Sequence, residues 1–540
     1  MQPGKWHKNI RNITGHNNKA GDFDLPSLGV SVTEQADNLN DHFSDVCCQL
    51  PPLRLESLPS YLPAPPPPTI HVWEVQNRLS KLNASKAGHP EDIPVKIIKE
   101  FSFELAEPLT KIFNAGLREG VFPSVWKTAS IIPVPKVKNP TSANELRPIA
   151  LTKVLGRVFE SFLAEWLRDD FTPFLDIKQY GNVKGTSATH YLVDMLYNVI
   201  SGIEKPLNYA TLVAVDFTKA FDRINHTVAV RKIISSGVRP SIISTISSFL
   251  SDRTQSVKHK GQLSGLKNIT CGVPQGTKLG PAIFTVMVND AAETTPDRWK
   301  FVDDLTLAEV CKAKTNSHQL QYHLDALDDW CKVNDMLPKP SKCHVMHVNF
   351  LKSPVQLPQL SLGGEALQVV EHMKLLGLEI QNNLGWDIQV RNMISRAGRR
   401  LFILYTLHKF GAPVEDMLAV FQTYIRPILE YACAVWHPAL TKQQSHQLER
   451  IQKRSCKIIL GNNYQDYQSA LQDLNITSLA DRRETLILKF GQQVLNSERH
   501  RHLLPAQRST VHNLRRSNRF PTPLCKTNRF QNSTTSYVIQ

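Results

Sequence analysis

Residues 210–222, ATLVAVDFTKAFD, contain the feature that decides the fold, an apolar run that ends at an aspartate. The run predicts a buried strand with Asp216 at its tip. A second segment, WKFVDDLTLAEV at 299–310, predicts two short strands joined by a tight turn that holds Asp303 and Asp304. Strands and helices mixed in this order predict an α+β unit with an antiparallel sheet.

The three carboxylates beside these apolar strands favour a metal site. Neighbouring aspartates lose hydration and repel one another unless a cation neutralises them. Mg²⁺ suits such oxygen ligands, because it commonly binds through one or two carboxylates plus substrate phosphates. Two such ions about 3.5–4 Å apart can activate an attacking hydroxyl and stabilise a leaving pyrophosphate. The alternative for each aspartate taken alone is a helix cap or a solvated turn.

The composition describes a basic chain of several structural units. Its 540 residues correspond to about three domains, and its formal net charge of +15 suggests a polyanionic partner. Residues 387–540 hold 22 Lys and Arg against 10 Asp and Glu, which predicts a surface for a phosphate backbone. Nine cysteines without a CxxC pair indicate neither a disulfide framework nor a zinc ribbon. Because no apolar run is long enough for a membrane helix, we expect an intracellular protein without membrane association, in the nucleus or the cytoplasm.

The chain also divides into segments of different character. Residues 1–70 lack long periodic stretches and end in four consecutive prolines, which predicts a leader followed by an extended linker. From Glu498 the apolar periodicity is lost, so the basic tail is predicted to be disordered. Beyond Trp386 the spacing of apolar residues predicts helices at 387–409, 413–432, 441–460 and 479–495.

The order and spacing of these segments resemble the reverse transcriptases of non-LTR, LINE-type retrotransposons of the jockey-like kind. The resemblance runs from about Ala36 to Leu504. It implies a right-hand polymerase of the α+β class, with fingers, a palm of ferredoxin-like character, a helical thumb and a mostly α C-terminal region. The implied domains are the leader and Pro-rich linker at 1–70, fingers and an N-terminal extension at 71–209, the palm at 210–385, thumb and post-thumb helices at 386–497, and the tail at 498–540.

Two motifs of that family fall on the carboxylate segments. In AVDFTKAFDRINH, Asp216 matches the first metal-binding aspartate, and Phe221 matches the aromatic gate that rejects a ribose 2′-hydroxyl. In FVDD, Asp303 matches the second metal ligand and Asp304 an auxiliary carboxylate. Phe301 stands where the family usually has Tyr, so it keeps the ring that would stack near the nucleotide.

Two further motifs imply contacts with the nucleotide and the template. GVPQGTKLGP resembles the B motif, whose glycines let the backbone approach the template–nucleotide pair closely. The resemblance assigns Gln275 and Gly276 to the incoming nucleotide and Gly272 to the primer–template. Upstream, the segments around Lys136 and Arg147 resemble the fingers, which implies template-backbone contacts for Lys136 and triphosphate contacts for Arg147.

The remaining matches concern the pyrophosphate, the primer and the duplex. PKPSKCHVMHV resembles the D motif and implies that Lys342 lies near the pyrophosphate. HMKLLGLEI resembles the E motif, the primer grip, around Leu376 and Gly377. QYGNVKGTSATHYL, which begins at Gln179, resembles an element that approaches the template. Basic residues in segments that resemble the thumb are implied to track the duplex, with a solvated helix face as the alternative: Arg426, Lys453, Arg454, Arg482 and Arg483.

Taken together, the motifs predict an RNA-directed DNA polymerase that adds deoxynucleotides to a primer 3′-hydroxyl by two-metal phosphoryl transfer. The implied cofactors are two Mg²⁺ ions, or Mn²⁺, and the implied partners are an RNA template, a DNA primer and dNTPs. No endonuclease-like segment is recognised, so we expect the polymerase portion of a longer or truncated reading frame. One alternative is an inactive, truncated retroelement remnant that only binds nucleic acid. Another is an RNA-dependent RNA polymerase, against which Phe221 argues.

Overall fold

The computed structural model describes residues 23, 25, 29, 31–59, 66–86, 88–313, 319–505, 520–521 and 524–539. Residues 60–65 of the predicted linker and 506–519 of the predicted tail lie outside these residues. The strands are β1 (Thr128–Pro135), β2 (Leu146–Thr152), β3 (Asn208–Val215), β4 (Arg253–His259), β5 (Gln262–Leu263), β6 (Lys267–Ile269), β7 (Arg298–Phe301), β8 (Asp304–Lys312), β9 (His344–Val348), β10 (Ser361–Leu362), β11 (Glu365–Ala366), β12 (Gln368–Val369), β13 (His372–Leu375) and β14 (Leu378–Gln381).

Helices precede, separate and follow these strands. Those before β7 are α1 (Val32–Cys47), α2 (Val72–Ser80), α3 (Val95–Glu100), α4 (Ser102–Glu119), α5 (Val154–Phe171), α6 (Ala188–Ile203), α7 (His226–Ser235), α8 (Ile243–Leu250) and α9 (Gly280–Met287). Those after β8 are α10 (Leu320–Val333), α11 (Asp387–Lys409), α12 (Val414–Val420), α13 (Arg426–Glu430), α14 (Cys433–Trp436), α15 (Lys442–Leu460), α16 (Tyr467–Asp473), α17 (Leu479–Leu495), α18 (Asn528–Gln531) and α19 (Thr534–Ile539).

The chain folds into two compact units that interleave along the sequence. The first unit comprises Met1–Asp176, Phe217–Ala291 and Asp329–Leu337. The second unit comprises Ile177–Asp216, Ala292–Asp328 and Pro338–Gln540. Both carboxylate segments of the sequence, the end of β3 and the β7–β8 hairpin, therefore belong to the second unit.

The second unit is built on a sheet with the strand order β12–β9–β3–β8–β7. Its central strand β3 is antiparallel to both β8 and β9, and β7 pairs with β8 in a hairpin. Leu212 and Val213 of β3 are buried, because neighbouring strands flank β3 and α6 packs against it. The predicted strand and the predicted hairpin are thus confirmed.

The first unit contains a second five-stranded sheet, in which β1 pairs antiparallel with β2 and parallel with β4. Helix α1 packs on β4, and its side chains Leu39 and Phe43 share a core with Ala129 and Ile131 of β1. The interpretation of residues 1–70 as leader and linker is therefore incomplete. A local signal was available in the capping box at Ser31 and the apolar spacing that follows it.

The segment after Trp386 is helical, as predicted, with one interruption. Helices α11, α15 and α17 match the predicted bounds within one residue. The predicted helix at 413–432 is divided instead into α12, a π-helical turn at Phe421–Ile425, and α13. Pro427 accounts for part of this break, because proline has no N–H to donate and crowds the preceding turn.

The described part of the tail is ordered and packs within the second unit, which differs from the predicted disorder. Glu204 at the end of α6 accepts hydrogen bonds from the N–H and hydroxyl of Thr527, at 2.8 and 2.6 Å. Thr534 donates its hydroxyl proton to the carbonyl oxygen of Ala434 at 2.5 Å, and the ring of Phe530 is buried. The loss of apolar periodicity from Glu498 did not predict these contacts, because they join the tail to residues far away in the sequence. Among the described helices, none is both long and apolar enough to cross a membrane.

Candidate active site

The three predicted carboxylates meet at one end of the second unit's sheet. Val215 pairs with Leu305, so Asp216 follows β3 at the level where Asp304 begins β8. Phe301 pairs with Asp304, which leaves Asp303 in the two-residue turn between β7 and β8. Asp304 has its pKa raised to about 6 by loss of hydration and by the negative charges of Asp303 and Asp216. The three side chains therefore form one acidic cluster.

Residues of the predicted D motif hold Asp216 from the opposite side. The carbonyl oxygen of Asp216 accepts a hydrogen bond from the N–H of Lys339 at 2.8 Å, and its N–H points at the Cys343 sulfur at 3.4 Å. The Nζ of Lys342 lies 3.8 Å from Asp216 Oδ2, and both side chains retain contact with solvent. Lys342 is thus placed beside the first carboxylate, whereas Cys343 is a support that its sequence context did not suggest.

The donor set of this cluster fits a hard cation that shares its ligands with a substrate. Within the described residues, no group of three His, Cys, Asp or Glu side chains is arranged to hold a metal by itself. Mg²⁺ does not require such a group, since it binds through one or two carboxylates and completes its shell with water and phosphate oxygens. Asp216 and Asp303 supply oxygen ligands of that kind at the edge of the sheet.

The predicted B motif is a loop of the first unit that is tied to the segment after Asp216. The carbonyl oxygens of Phe221 and Ile224 accept hydrogen bonds from the N–H groups of Val273 and Gly272, each at 2.8 Å. The buried His226 donates from Nε2 to the Gly272 carbonyl oxygen at 2.7 Å. Gly272 has φ = 80°, and an added Cβ would lie 2.5 Å from the carbonyl oxygen of Asp222, so glycine is required there.

Gln275 and Gly276 also lie within this first-unit loop. The side-chain amide of Gln275 donates to Asp222 Oδ1 at 2.9 Å, and the backbone carbonyl oxygen of Gln275 accepts from the N–H of Ala150 on β2. A Cβ on Gly276 would lie 2.7 Å from the Ala150 carbonyl oxygen, which explains glycine at a position with φ = 127°. The loop is therefore held closely against β2, and the predicted nucleotide contacts of both residues stay predictions.

Phe221 presents part of its ring at the surface of the first unit. The ring is half-buried and stacks on Phe284 of α9, with centroids 4.2 Å apart and planes 13° from parallel. Such stacking fixes the orientation of the ring while the residue stays partly exposed to solvent. Phe301, by contrast, belongs to the second unit, where it is half-buried with its ring edge-on to Tyr191 at 6.5 Å.

The predicted fingers residues and the predicted primer grip lie at least partly exposed, on strand β2 or next to strand ends. Lys136 follows β1, with its Nζ 2.8 Å from the carbonyl oxygen of Asn144, and Arg147 is exposed on β2. Leu376 and Gly377 form the turn between β13 and β14, where both have positive φ. Tyr431 donates its hydroxyl proton to the Leu376 carbonyl oxygen at 2.7 Å, so it holds the turn of this hairpin.

The basic residues of the thumb helices separate into buried and exposed groups. Arg426 keeps only 16% of its side chain exposed and lies 3.8 Å from Glu430, which also pairs with Arg482. Arg483 is fully buried, with its guanidinium 5.6 Å from the Trp436 ring centre. Contrary to the prediction, Arg483 is not presented to a duplex, because it is packed inside the second unit. The duplex contacts of Arg426 and Arg482, which both pair with Glu430, stay predictions. Two side chains on α15 are exposed, and their duplex contacts stay predictions: Lys453 and Arg454.

Three buried histidines predict a loss of stability in mild acid. Burial lowers the pKa of His190, His226 and His500 from 6.5 to about 4 in each case. Between pH 6.5 and about 4 the unfolded chain therefore binds protons that the folded chain does not, and stability falls as the pH falls. For the fully buried His226 this loss is about 2 kcal/mol at pH 5.

We expect the melting temperature to drop between pH 7 and pH 5, and His226→Gln to reduce that drop. Glutamine can still donate to Gly272 and does not titrate. The matched control is His408→Gln, because His408 is exposed on α11. Equal pH dependence in wild type and His226→Gln, followed by circular dichroism, would contradict the assignment of the acid loss to His226.

Comparisons with known proteins show what this chain is similar to. The family model described as reverse transcriptase (RNA-dependent DNA polymerase) matches residues 134–380, which include all three carboxylates. The RNA-directed DNA polymerase from mobile element jockey of Drosophila melanogaster is 26% identical over 446 residues, which cover 79% of this chain and 48% of that protein. The probable RNA-directed DNA polymerase from transposon BS of the same fly is 25% identical over 465 residues, covering 81% of this chain and 50% of that protein.

The chain thus spans about half the length of the curated relatives it matches. Among solved structures, apo telomerase from Candida tropicalis, truncated from its C-terminal domain, aligns with 14% identity and a TM-score of 0.35, over 52% of this chain and 60% of that chain. The family match implies the right-hand polymerase fold for the matched residues. Residues 134–380 therefore match the reverse transcriptase family, and over most of its length the chain is similar to RNA-directed DNA polymerases of mobile elements such as jockey.

Proposed function

We propose that this chain is an RNA-directed DNA polymerase that extends a primer 3′-hydroxyl with deoxynucleotides on an RNA template. The observation that supports the proposal is the meeting of Asp216, Asp303 and Asp304 at one end of the β3–β8 pair. A cluster of carboxylates at a sheet edge is what a two-metal phosphoryl transfer needs. The proposal extends to the implied partners, an RNA template, a DNA primer and dNTPs, and to action inside the cell, in the nucleus or the cytoplasm.

The chain's own residues divide the work of this reaction. Asp216 and Asp303 would hold two Mg²⁺ ions, or Mn²⁺, with Asp304 as an auxiliary carboxylate. These ions, when bound, would make the primer hydroxyl a better nucleophile and neutralise charge on the leaving pyrophosphate. Lys342 extends an exposed ammonium group from the same edge, 3.8 Å from Asp216, and can approach a phosphate there. Most of the rate enhancement then comes from positioning and charge stabilisation.

We assign the remaining contacts by the segments that carry them. The fingers and N-terminal extension correspond to 71–209, the ferredoxin-like palm to 210–385, and the helical thumb with post-thumb helices to 386–497. The first-unit loop around Gln275 would face the template–nucleotide pair, with Phe221 against the sugar. Exposed basic side chains, Arg147 in the fingers and Lys453 in the thumb, would contact the triphosphate and the duplex.

Primer extension tests the proposal directly. Purified chain with Mg²⁺ should extend a labelled DNA primer on an RNA template and use dNTPs in preference to rNTPs. Extension should be lost when the metal is removed with EDTA and should return when Mg²⁺ is added back. Salt-sensitive binding of the primer–template without any extension would favour the nucleic-acid-binding remnant instead.

A further inference from the structure

The turn that carries Asp303 has a strained backbone. Val302, the first residue of the β7–β8 turn, has φ = 62°, in the left-handed region. A β-branched side chain rarely adopts this region, because Cβ crowds the backbone there. Strain of this kind persists only where neighbouring groups hold the backbone in place. The turn therefore depends on a contact from outside the hairpin.

Gln179 provides that contact within the second unit. Its side chain is fully buried, and its Oε1 accepts hydrogen bonds from the N–H of Val302 at 3.2 Å and the N–H of Gly181 at 2.9 Å. Both neighbours are donors, so only the oxygen end of the amide fits beside them. Gln179 Nε2 is buried and has no hydrogen-bond partner among the described residues, so the acceptor oxygen is the part of the amide that is used.

The backbone of the same segment is fixed to β7 and to the chain after α17. Lys300 accepts from the N–H of Tyr180 at 2.8 Å and donates its own N–H to Lys178 at 2.9 Å. Arg499 donates from Nη2 to the Gln179 carbonyl oxygen at 2.8 Å. Gly181 passes so close to Val302 that an added Cβ would clash with its N–H. The Gln179 amide therefore has a rigid base from which to hold the turn.

Asp194 on α6 connects the segment 178–181 to β7 by hydrogen bonds. The buried Asp194 Oδ2 accepts hydrogen bonds from Lys178 Nζ at 2.6 Å, from the Tyr180 hydroxyl at 2.5 Å and from Trp299 Nε1 at 2.9 Å. One carboxylate oxygen thus joins the segment 178–181 to β7. Hydrogen bonds from His502, Lys178 and Tyr180, with the positive charge of Lys178, keep the pKa of Asp194 below its usual range despite burial. Segment and strand are held as one rigid piece.

We propose that Gln179 is a positioning residue that holds Val302 in its left-handed conformation and so fixes Asp303 beside Asp216 and Asp304. The inference deepens the proposed function, on which its catalytic readout rests. The resemblance implied a template contact for the element that begins at Gln179, but the buried side chain of Gln179 bonds the turn instead. A small displacement of Asp303 would reduce the rate, because phosphoryl transfer depends on the placement of the reacting groups.

The test replaces Gln179 by methionine, which keeps the shape of the side chain and removes the acceptor. Hydrogen–deuterium exchange of metal-free protein should become faster in a peptide spanning 298–306, where Val302 loses its bond. In primer extension we expect kcat to fall by about 10-fold with KM for dNTP within about twofold. The half-saturating Mg²⁺ concentration should rise, because Asp303 is less well placed to bind the ion.

Two further variants separate positioning from general loss of stability. Gln452→Met removes a buried amide on α15 that bonds Tyr467 and Thr477, and should lower stability without faster exchange at 298–306. In a Val302→Gly background, where positive φ carries no strain, the loss of kcat caused by Gln179→Met should be several-fold smaller. Non-additivity of this kind distinguishes a positioning role from a structural one.

Failure of the Gln179 inference can be distinguished from failure of the proposed polymerase function. Unchanged exchange at 298–306 in Gln179→Met would overturn the inference even if the enzyme is active. Faster exchange with wild-type kcat and Mg²⁺ requirement would overturn it as well. If the wild-type chain shows no extension, the proposed function fails, whereas the exchange comparison still decides whether Gln179 holds the turn.

Discussion

Replacing Asp303 by asparagine should reduce primer extension by about 1,000-fold or more. Asparagine keeps the size of the side chain, so the two-residue turn between Phe301 and Asp304 can form as before. What it removes is the negative charge that would bind a divalent ion. Stabilisation of the transition state by a bound metal is worth several kcal/mol, and about 4 kcal/mol corresponds to a factor of about 1,000. Single-turnover extension with Mg²⁺ measures the loss.

A matched variant shows whether the loss is specific to the site. Asp329→Asn also removes one carboxylate, but Asp329 is exposed on α10, where it pairs with the nearby Lys332 at 3.1 Å. It should extend primers at a rate close to that of the wild type. Binding of the primer–template to Asp303→Asn should stay within about twofold of wild type, as measured by fluorescence anisotropy. If Asp303→Asn retains more than a tenth of the extension rate, Asp303 is not a metal ligand.

The sequence allowed prediction of the catalytic edge because its signals are local. An apolar run that ends at Asp216 is a strand with a polar tip, and FVDD between apolar stretches is a hairpin with an acidic turn. The structure contains both elements as predicted: β3 and β8 pair in the same sheet, and most of their apolar side chains are buried. Local pattern was sufficient there because the three candidate carboxylates lie where the strands end.

Local sequence signals also account for two features that differ from the predictions, the burial of Arg483 and the helix α1. In α17 the buried positions are Leu479, Arg483, Ile487, Phe490, Gly491 and Val494, a spacing that places Arg483 on the apolar stripe. Its position in the helix, and not its charge, therefore predicts burial. Helix α1 likewise had a capping box and apolar spacing, which the neighbouring irregular sequence obscured.

The supporting contacts could not be predicted, because they join residues far apart in the chain. Gln179 and Val302 are 123 positions apart, and nothing next to either residue indicates that the amide of one holds the backbone of the other. The same is true of Cys343 behind Asp216 and of Tyr431 at the primer-grip turn. Such hydrogen bonds follow from the tertiary arrangement, whereas propensity and periodicity report only on neighbours along the chain.

Replacing Phe221 by alanine or valine should weaken discrimination against ribonucleotides by about 100-fold. The ring is half-buried and stacked on Phe284, so it is held at a fixed place on the first unit while one side stays exposed. A rigid ring at the proposed place under the sugar would leave no room for a 2′-hydroxyl, and a smaller side chain would open that space. An apolar pocket that does not clash with an added hydroxyl discriminates far less than one that does. The measurement is the ratio of kcat/KM for dNTP to that for the matching rNTP.

The ratio is taken on one enzyme preparation, so partial unfolding of a variant cancels from it. Phe284→Leu is the matched control, because it weakens the stacking partner and leaves the Phe221 ring in the chain. Its ratio should fall much less than that of Phe221→Val, since the barrier to the 2′-hydroxyl is the Phe221 ring itself. A folded Phe221→Val enzyme with an unchanged ratio would show that another group rejects the hydroxyl. Phe221 is the residue that argues against an RNA-dependent RNA polymerase. With an unchanged ratio, efficient incorporation of rNTPs by the wild-type chain would be the measurement that decides for or against that alternative.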